Sequence, residues 1–150
     1  MKYSKEIIID LPREEVIAKM EDPNNFKHWQ KGFVSYKHIS GKAGHNDARS
    51  KLKYKMGKRN IEMVETIEKN NLPSKLFVSY DAKGVFNRQK NYFEEVDSNS
   101  TKWISDNEFE CSGFMKIIAF LMPGSFKNQT YKYMKDFKAF AENGTSVLNE

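Results

Sequence analysis

Apolar and polar positions recur at two different periods along this chain, and the places where the period changes mark out its elements. Ile7, Ile8 and Ile9 belong to an opening strand, Met1 to Asp10, that stops at Leu11-Pro12. Pro12 stands where a helix begins, and Glu14 and Glu15 suit the positive end of its dipole, so Arg13 to Met20 reads as a short helix. Asp22-Pro23 is a second start signal, an N-cap residue followed by proline. It opens another short helix, which carries Phe26 and Trp29 and ends near Gly32.

From Phe33 to Cys111 the period is two. Lys51, Lys53 and Lys55 alternate with Leu52, Tyr54 and Met56, the pattern of a half-buried strand with its charges outward. Turn signals at Gly41 to Asp47, Gly57-Lys58, Asn70 to Pro73, Lys83-Gly84 and Asp97 to Ser100 divide the stretch into about six strands. Consecutive strands joined by short turns make an antiparallel meander. Gly113 ends the sheet and the period becomes helical. Phe126, Thr130, Tyr133, Met134, Phe137 and Ala141 share one helix face, while Lys127, Lys132, Lys135, Asp136 and Glu142 fill the other. Asn143-Gly144 is the stop signal, and Pro123 predicts a kink or break between Phe120 and Gly124.

These elements predict one α+β domain over residues 1–150: a curved seven-stranded antiparallel sheet wrapped around a long C-terminal helix, with two short helices after the first strand. Only the last helix is long enough to cover the concave face. A curved sheet and a single rod leave space between them, and that space predicts a cavity.

The residues assigned to the inner face sharpen this expectation. Alternation in the last strand puts Thr101, Trp103, Ser105, Asn107, Phe109 and Cys111 together, opposite Lys102, Asp106, Glu108 and Glu110. In the strand before it, Asn87, Gln89, Asn91 and Phe93 lie opposite Arg88, Lys90 and Glu94. A buried amide without a partner costs on the order of 1–3 kcal/mol. Either water and ligand enter, or the amides bond one another, or the second strand runs out of phase with Phe86 and Tyr92 inside. The wet cavity is the preferred expectation, since pockets combine apolar walls with a few polar groups. Glu65 is the one carboxylate singled out. It shares a face with Ile61, Met63 and Ile67, where burial would raise its pKa and suit it to acid or base work. The strand turned over, with Val64 and Thr66 inside and Glu65 in water, is the preferred expectation, because buried carboxylates are rare.

Composition adds adaptable bulk. Eleven Phe, seven Tyr, seven Met and two Trp make a core rich in large side chains, and methionine fills irregular gaps. The net charge of +5 is spread among acidic residues, and only Lys51 to Arg59 forms a basic run, so no nucleic-acid partner is expected. His28, His38 and His45 lack partners at metal-ligand or nucleophile spacing, so no metal and no cofactor is expected. The lone Cys111 excludes an intramolecular disulfide and reads as a small buried hydrophobe. Met1 to Asp10 reads as a strand rather than a leader, and Ile117 to Met122 is too short to span a bilayer, which makes a cytoplasmic setting the expectation. Phe114 to Met122 is apolar almost all round. It suits a buried cap over the cavity mouth, a homodimer contact or a membrane-touching lid, and the cap is preferred because the segment joins sheet to helix.

The chain resembles the START-like superfamily, also called SRPBCC or polyketide cyclase/dehydrase-like, over essentially its whole length. The resemblance is carried by Ile7 to Pro12 with Glu15-Val16, Asp22-Pro23 through Phe26 to Trp29, Gly41-Lys42-Ala43-Gly44, Glu62 to Ile67, and Met134 to Lys138. It implies a helix-grip fold and an internal cavity for a hydrophobic ligand. No universal catalytic set comes with it. Ala48-Arg49-Ser50 stands where the family's glycine-rich turn often ends in a further glycine.

The expected function is binding or carriage of a small hydrophobic molecule such as a lipid, polyketide or aromatic metabolite. Tyr54, Gln89, Asn91, Ser105 and Asn107 would orient it by hydrogen bonds. Met56, Met63, Glu65, Tyr80, Phe93, Trp103 and Phe109 complete the sheet's share of the wall, and Met115, Ile118, Met122, Phe126, Thr130 and Tyr133 are the helical share. The alternatives are a cyclase or dehydratase-like enzyme with Glu65 as acid or base, aided by Tyr54 or Tyr80, and a protein-interaction module using Phe114 to Met122.

Overall fold

The structure, a computed structural model, describes all 150 residues. β1 (Lys2–Ile9) leads into α1 (Arg13–Glu21) and, after the 3-10 turn Pro23–Asn25, into the single-turn α2 (Phe26–Trp29). Pro12 stands just before α1 with extended ψ, and the Asp22 carboxylate caps the next turn by accepting the Asn24 N–H at 3.0 Å. Gly32 then reverses the chain at φ +87°. A Cβ there would stand 2.5 Å from the Lys55 carbonyl oxygen, so no other residue fits without displacing the sheet.

Six strands follow: β2 (Phe33–Ser40), β3 (Arg49–Met56), β4 (Arg59–Asn71), β5 (Lys75–Ala82), β6 (Val85–Asp97) and β7 (Ser100–Cys111). Each pairs with the next in antiparallel register, and β1 closes the far edge against β7, giving the order β1-β7-β6-β5-β4-β3-β2. Every turn signal read from the sequence falls at a junction between strands. In the β2–β3 turn Asp47, at φ +70°, joins Gly41 and Gly44 at positive φ, just before the buried Ala48. Register shifts in β2, between β4 and β5, and near Glu95 in β6 mark local irregularities of the kind that curve a sheet.

Pro123 separates two helices, α3 (Phe114–Leu121) and α4 (Ser125–Asn143), so the interruption is a full break. Met122 leaves helical geometry, and the Ser125 hydroxyl donates to the Met122 carbonyl at 2.9 Å. α4 lies on the concave face and ends at Gly144, which adopts left-handed geometry as a C-cap. It is tied to β1 by the Lys138 ammonium, which donates to the Ile8 carbonyl and the Glu142 carboxylate, both at 2.6 Å.

The preferred placement of Phe114 to Met122 as a buried cap is overturned. Phe120 is 83 % exposed and Phe114, Ile117, Leu121 and Met122 are all exposed as well. Gly113, at φ +58°, turns the chain between β7 and α3, and Met115 packs on Gly84 in the β5–β6 turn. The basic run behaves as a strand's outer face: Lys51 and Lys53 both pair with Glu62, at 3.2 and 3.9 Å.

No helix is long and apolar enough to cross a membrane.

Candidate functional site

Two zones share the space between α4 and the sheet. One is solid. Phe137 of α4 is fully buried, with Trp29 and Trp103 edge-on to it at 5.0 and 5.7 Å between ring centroids. Ile9, Val16, Phe93, Met134 and Ala141 complete that core. Toward the N-terminal end of α4 the sheet curves away from the helix and a cavity of about 340 Å³ opens.

Its wall has 19 residues, 13 of them hydrophobic. Tyr54 and Met56 come from β3, Ile61 and Met63 from β4, Tyr80 and Ala82 from β5, Val85, Asn87 and Gln89 from β6, and Trp103, Ser105 and Phe109 from β7. α4 supplies Phe126, Gln129, Thr130, Tyr133 and Met134, and Trp29 and Gln30 close the end beside the solid core. No wall residue carries a charge.

A chain of hydrogen bonds runs along the concave face of β6 and β7. The Trp103 indole donates to Asn91 Oδ1 at 3.0 Å, and Asn91 Nδ2 donates to Gln89 Oε1 at 3.2 Å. Gln89 Nε2 donates to Asn87 Oδ1 at 3.3 Å, Asn87 Nδ2 to Asn107 Oδ1 at 3.2 Å, and Asn107 Nδ2 to Ser105 Oγ at 2.9 Å. Both features expected as alternatives are therefore present. The amides satisfy one another, and a cavity lies beside them. Phe86 and Tyr92 are on the other face, so β6 is in the phase that puts Asn87, Gln89, Asn91 and Phe93 inside.

A second polar group lies across the sheet. Ser50, Glu65, Tyr80, Asn87 and Phe109 pair in one row across β3, β4, β5, β6 and β7, and Ser50 and Asn87 in that row are buried. Residues directly opposite point to the same face, so Glu65 faces inward and the preferred turned-over strand is overturned. Burial raises its pKa, a hydrogen bond from Tyr80 offsets part of the rise, and Glu21 adds to it. Burial also pushes the Tyr80 phenol well above its usual value, with the Glu65 carboxylate acting in the same direction. Tyr54 is raised mainly by burial, then by Tyr133 and Glu65, and its hydroxyl donates to Gln30 Oε1 at 2.6 Å. Burial likewise raises Tyr133.

Of the residues expected to meet a ligand, Tyr54, Met56, Met63, Tyr80, Gln89, Trp103, Ser105, Phe109, Phe126, Thr130 and Tyr133 line the cavity. Seven do not. Asn91 and Asn107 face inward but turn along the sheet to bond their neighbours. Phe93 is stacked on Trp103 within the solid core. Glu65 faces inward but lies outside the wall, opposite Tyr80, which does line it. Met115, Ile118 and Met122 are on or beside α3, which points away. The sequence reading missed Trp29, Gln30, Ile61, Ala82, Val85, Asn87, Gln129 and Met134 as wall residues. Asn87 and Met134 lie on faces that the periodicity puts inside, so signal for them existed, whereas Ile61 shares the face of Glu65, which the pattern left open. Trp29 and Gln30 reach the cavity only because α2 folds back against α4, which periodicity does not encode.

The three histidines lie apart from the cavity wall, and His45 is exposed in the β2–β3 turn. His28 is stacked on Phe140 and bonds Ser146 Oγ at 2.9 Å, and His38 bonds the Gly41 carbonyl at 2.7 Å.

No family model and no curated protein sequence matches the chain. Solved structures do. The Zhui aromatase/cyclase from Streptomyces sp. R1128 superposes with a TM-score of 0.76 over 99% of this chain and 97% of its own, at 8% identity. A protein of Thermus thermophilus gives 0.76 over 97% and 100%, at 13% identity. Truncated norcoclaurine synthase from Thalictrum flavum gives 0.70 over 95% and 94%, at 11% identity. The chain has the helix-grip fold of the START-like proteins, and identities this low carry the fold and not the chemistry.

Proposed function

We propose that the protein binds and carries a small, mostly apolar molecule in the cavity between the sheet and α4. The observation that carries this reading is the uncharged wall of largely apolar side chains around about 340 Å³. Such a wall gives affinity by burying apolar surface, at roughly 25 cal/mol per Å², while a few polar groups set orientation. Lipids, polyketides and aromatic metabolites of modest size meet those terms. Native mass spectrometry of protein purified from its host tests the reading. Wild type should carry a small molecule that Ala82→Trp, which fills the cavity from β5, no longer retains. A folded Ala82→Trp that keeps the same molecule places it elsewhere and defeats the reading.

A second reading is an enzyme that uses the cavity as a mould, and the inward-facing Glu65 beside Tyr80 favours it. In that case Glu65 exchanges a proton with the bound molecule through Tyr80, as in a cyclase or dehydratase. Turnover whose acidic limb lies above the ordinary carboxylate range, and is lost in Glu65→Gln, would establish it. Ligand capture that is unchanged in Glu65→Gln, without turnover in either form, would leave the carrier.

The interaction reading has the bare apolar face of α3 behind it. A monomer in sedimentation at micromolar concentration counts against a homodimer through Phe114 to Met122.

A further inference from the structure

The hydrogen-bond chain on β6 and β7 has a direction, and both of its ends are fixed by groups that cannot exchange roles. At one end the Trp103 indole N–H can only donate, so it must meet the oxygen of Asn91. At the other end, backbone carbonyls can only accept. The Glu108 carbonyl at 3.2 Å fixes the nitrogen of Asn87, and the Ser105 carbonyl at 3.4 Å fixes that of Asn107. Every amide between therefore accepts from the Trp103 side and donates toward Ser105. Hydrogen bonds aligned this way polarise one another, and the effect accumulates toward the last member.

That last member is the Ser105 hydroxyl. It accepts from Asn107, so its own proton is left to donate, and the side chain stands in the cavity wall at 1 % exposure. Two other wall hydroxyls, those of Tyr54 and Thr130, donate within the protein. Tyr54 donates to Gln30, while Tyr80 stands opposite the Glu65 carboxylate on the neighbouring strand. Tyr3 donates to the Phe126 carbonyl, so Thr130, 2.6 Å away, donates to Tyr3. Ser105 has no acceptor within the protein. The Trp29 indole N–H, on another wall residue, is also buried without one. The wall thus offers donors that lack acceptors and has no cation to balance an anion.

The geometry points to a neutral ligand bearing a carbonyl-type oxygen, such as a ketone, quinone or ester, that accepts the Ser105 proton. An ionised carboxylate is disfavoured: no wall residue is cationic, and Glu65 lies just behind Tyr80. This inference rests on the carrier reading above and narrows the class of molecule carried.

Three probes of one shape test it: 2-acetylnaphthalene, 2-ethylnaphthalene and 2-naphthoate, with wild type and Ser105→Ala. In wild type the bound ketone should show its carbonyl stretch lowered from its position in a solvent without donors. In Ser105→Ala the stretch should relax back, and ketone affinity should fall about fivefold, as expected for one neutral hydrogen bond. Binding of 2-ethylnaphthalene should change less than about twofold, since no hydrogen bond is lost. The naphthoate should bind wild type at least about tenfold more weakly than the ketone, from the cost of burying an unpaired charge. An unshifted carbonyl in wild type, a shift that persists in Ser105→Ala, or naphthoate binding as tightly as the ketone overturns the inference, while capture of 2-ethylnaphthalene leaves the carrier reading intact. If none of the three binds wild type, both fall. If Ser105→Ala loses every probe, the wild-type carbonyl position decides alone.

Discussion

Glu65 is where a single side chain departs furthest from what its type prefers. Its carboxyl faces inward and is raised by burial, with Tyr80 as a partial offset and Glu21 adding to the rise. A folded value above the unfolded one means that the ionised form costs stability. The cost is absent below the unfolded pKa, near 4.5, grows as pH rises toward the folded value, and is constant above it. Glu65→Gln removes the charge while an amide oxygen can still accept from Tyr80. The variant should therefore melt at a higher temperature than wild type at pH 7, with the difference closing as pH falls below 4.5. Thermal melts across that window check it, and a variant less stable at pH 7 would show that the charge is paired rather than stranded. Alternation along the strands was enough to place Asn87 with Gln89 and Asn91 inside, but for Glu65, Met63 and Ile67 it gave a shared face without saying which side of the sheet that face is on. It was not enough to say which inward side chain meets a ligand. Asn91 and Asn107 turn within the plane of the sheet, a choice made by partners on neighbouring strands.

The last two helices show what local pattern does and does not decide. Pro123 and the spacing of Phe126 to Ala141 foretold both the break and the buried face of α4, because both are properties of one segment. The position of α3 is a tertiary matter. Its apolar composition resembles that of a buried helix, yet Phe114, Ile117, Phe120 and Leu121 are exposed. The two helices should therefore respond oppositely to substitution. Phe137→Ala removes the ring that Trp29 and Trp103 pack against and should cost about 3–5 kcal/mol in denaturant unfolding. Phe120→Glu, at an exposed site, should change stability by less than about 0.5 kcal/mol. A large loss in Phe120→Glu would mean that α3 folds down over the cavity mouth in solution.

At the scale of the whole molecule, the curved sheet is longer than the solid core it carries. Phe137, the two tryptophans and Phe93 fill one end, and the other is left hollow. The seven methionines report on that division. Met56, Met63 and Met134 line the cavity, whereas Met1, Met20, Met115 and Met122 do not. Methyl NMR of methionine-labelled protein titrated with 2-ethylnaphthalene reads all of them at once. Shifts confined to Met56, Met63 and Met134 are the predicted result. Shifts centred on Met115 and Met122, with the other three unmoved, would put the ligand on α3 and contradict an internal site.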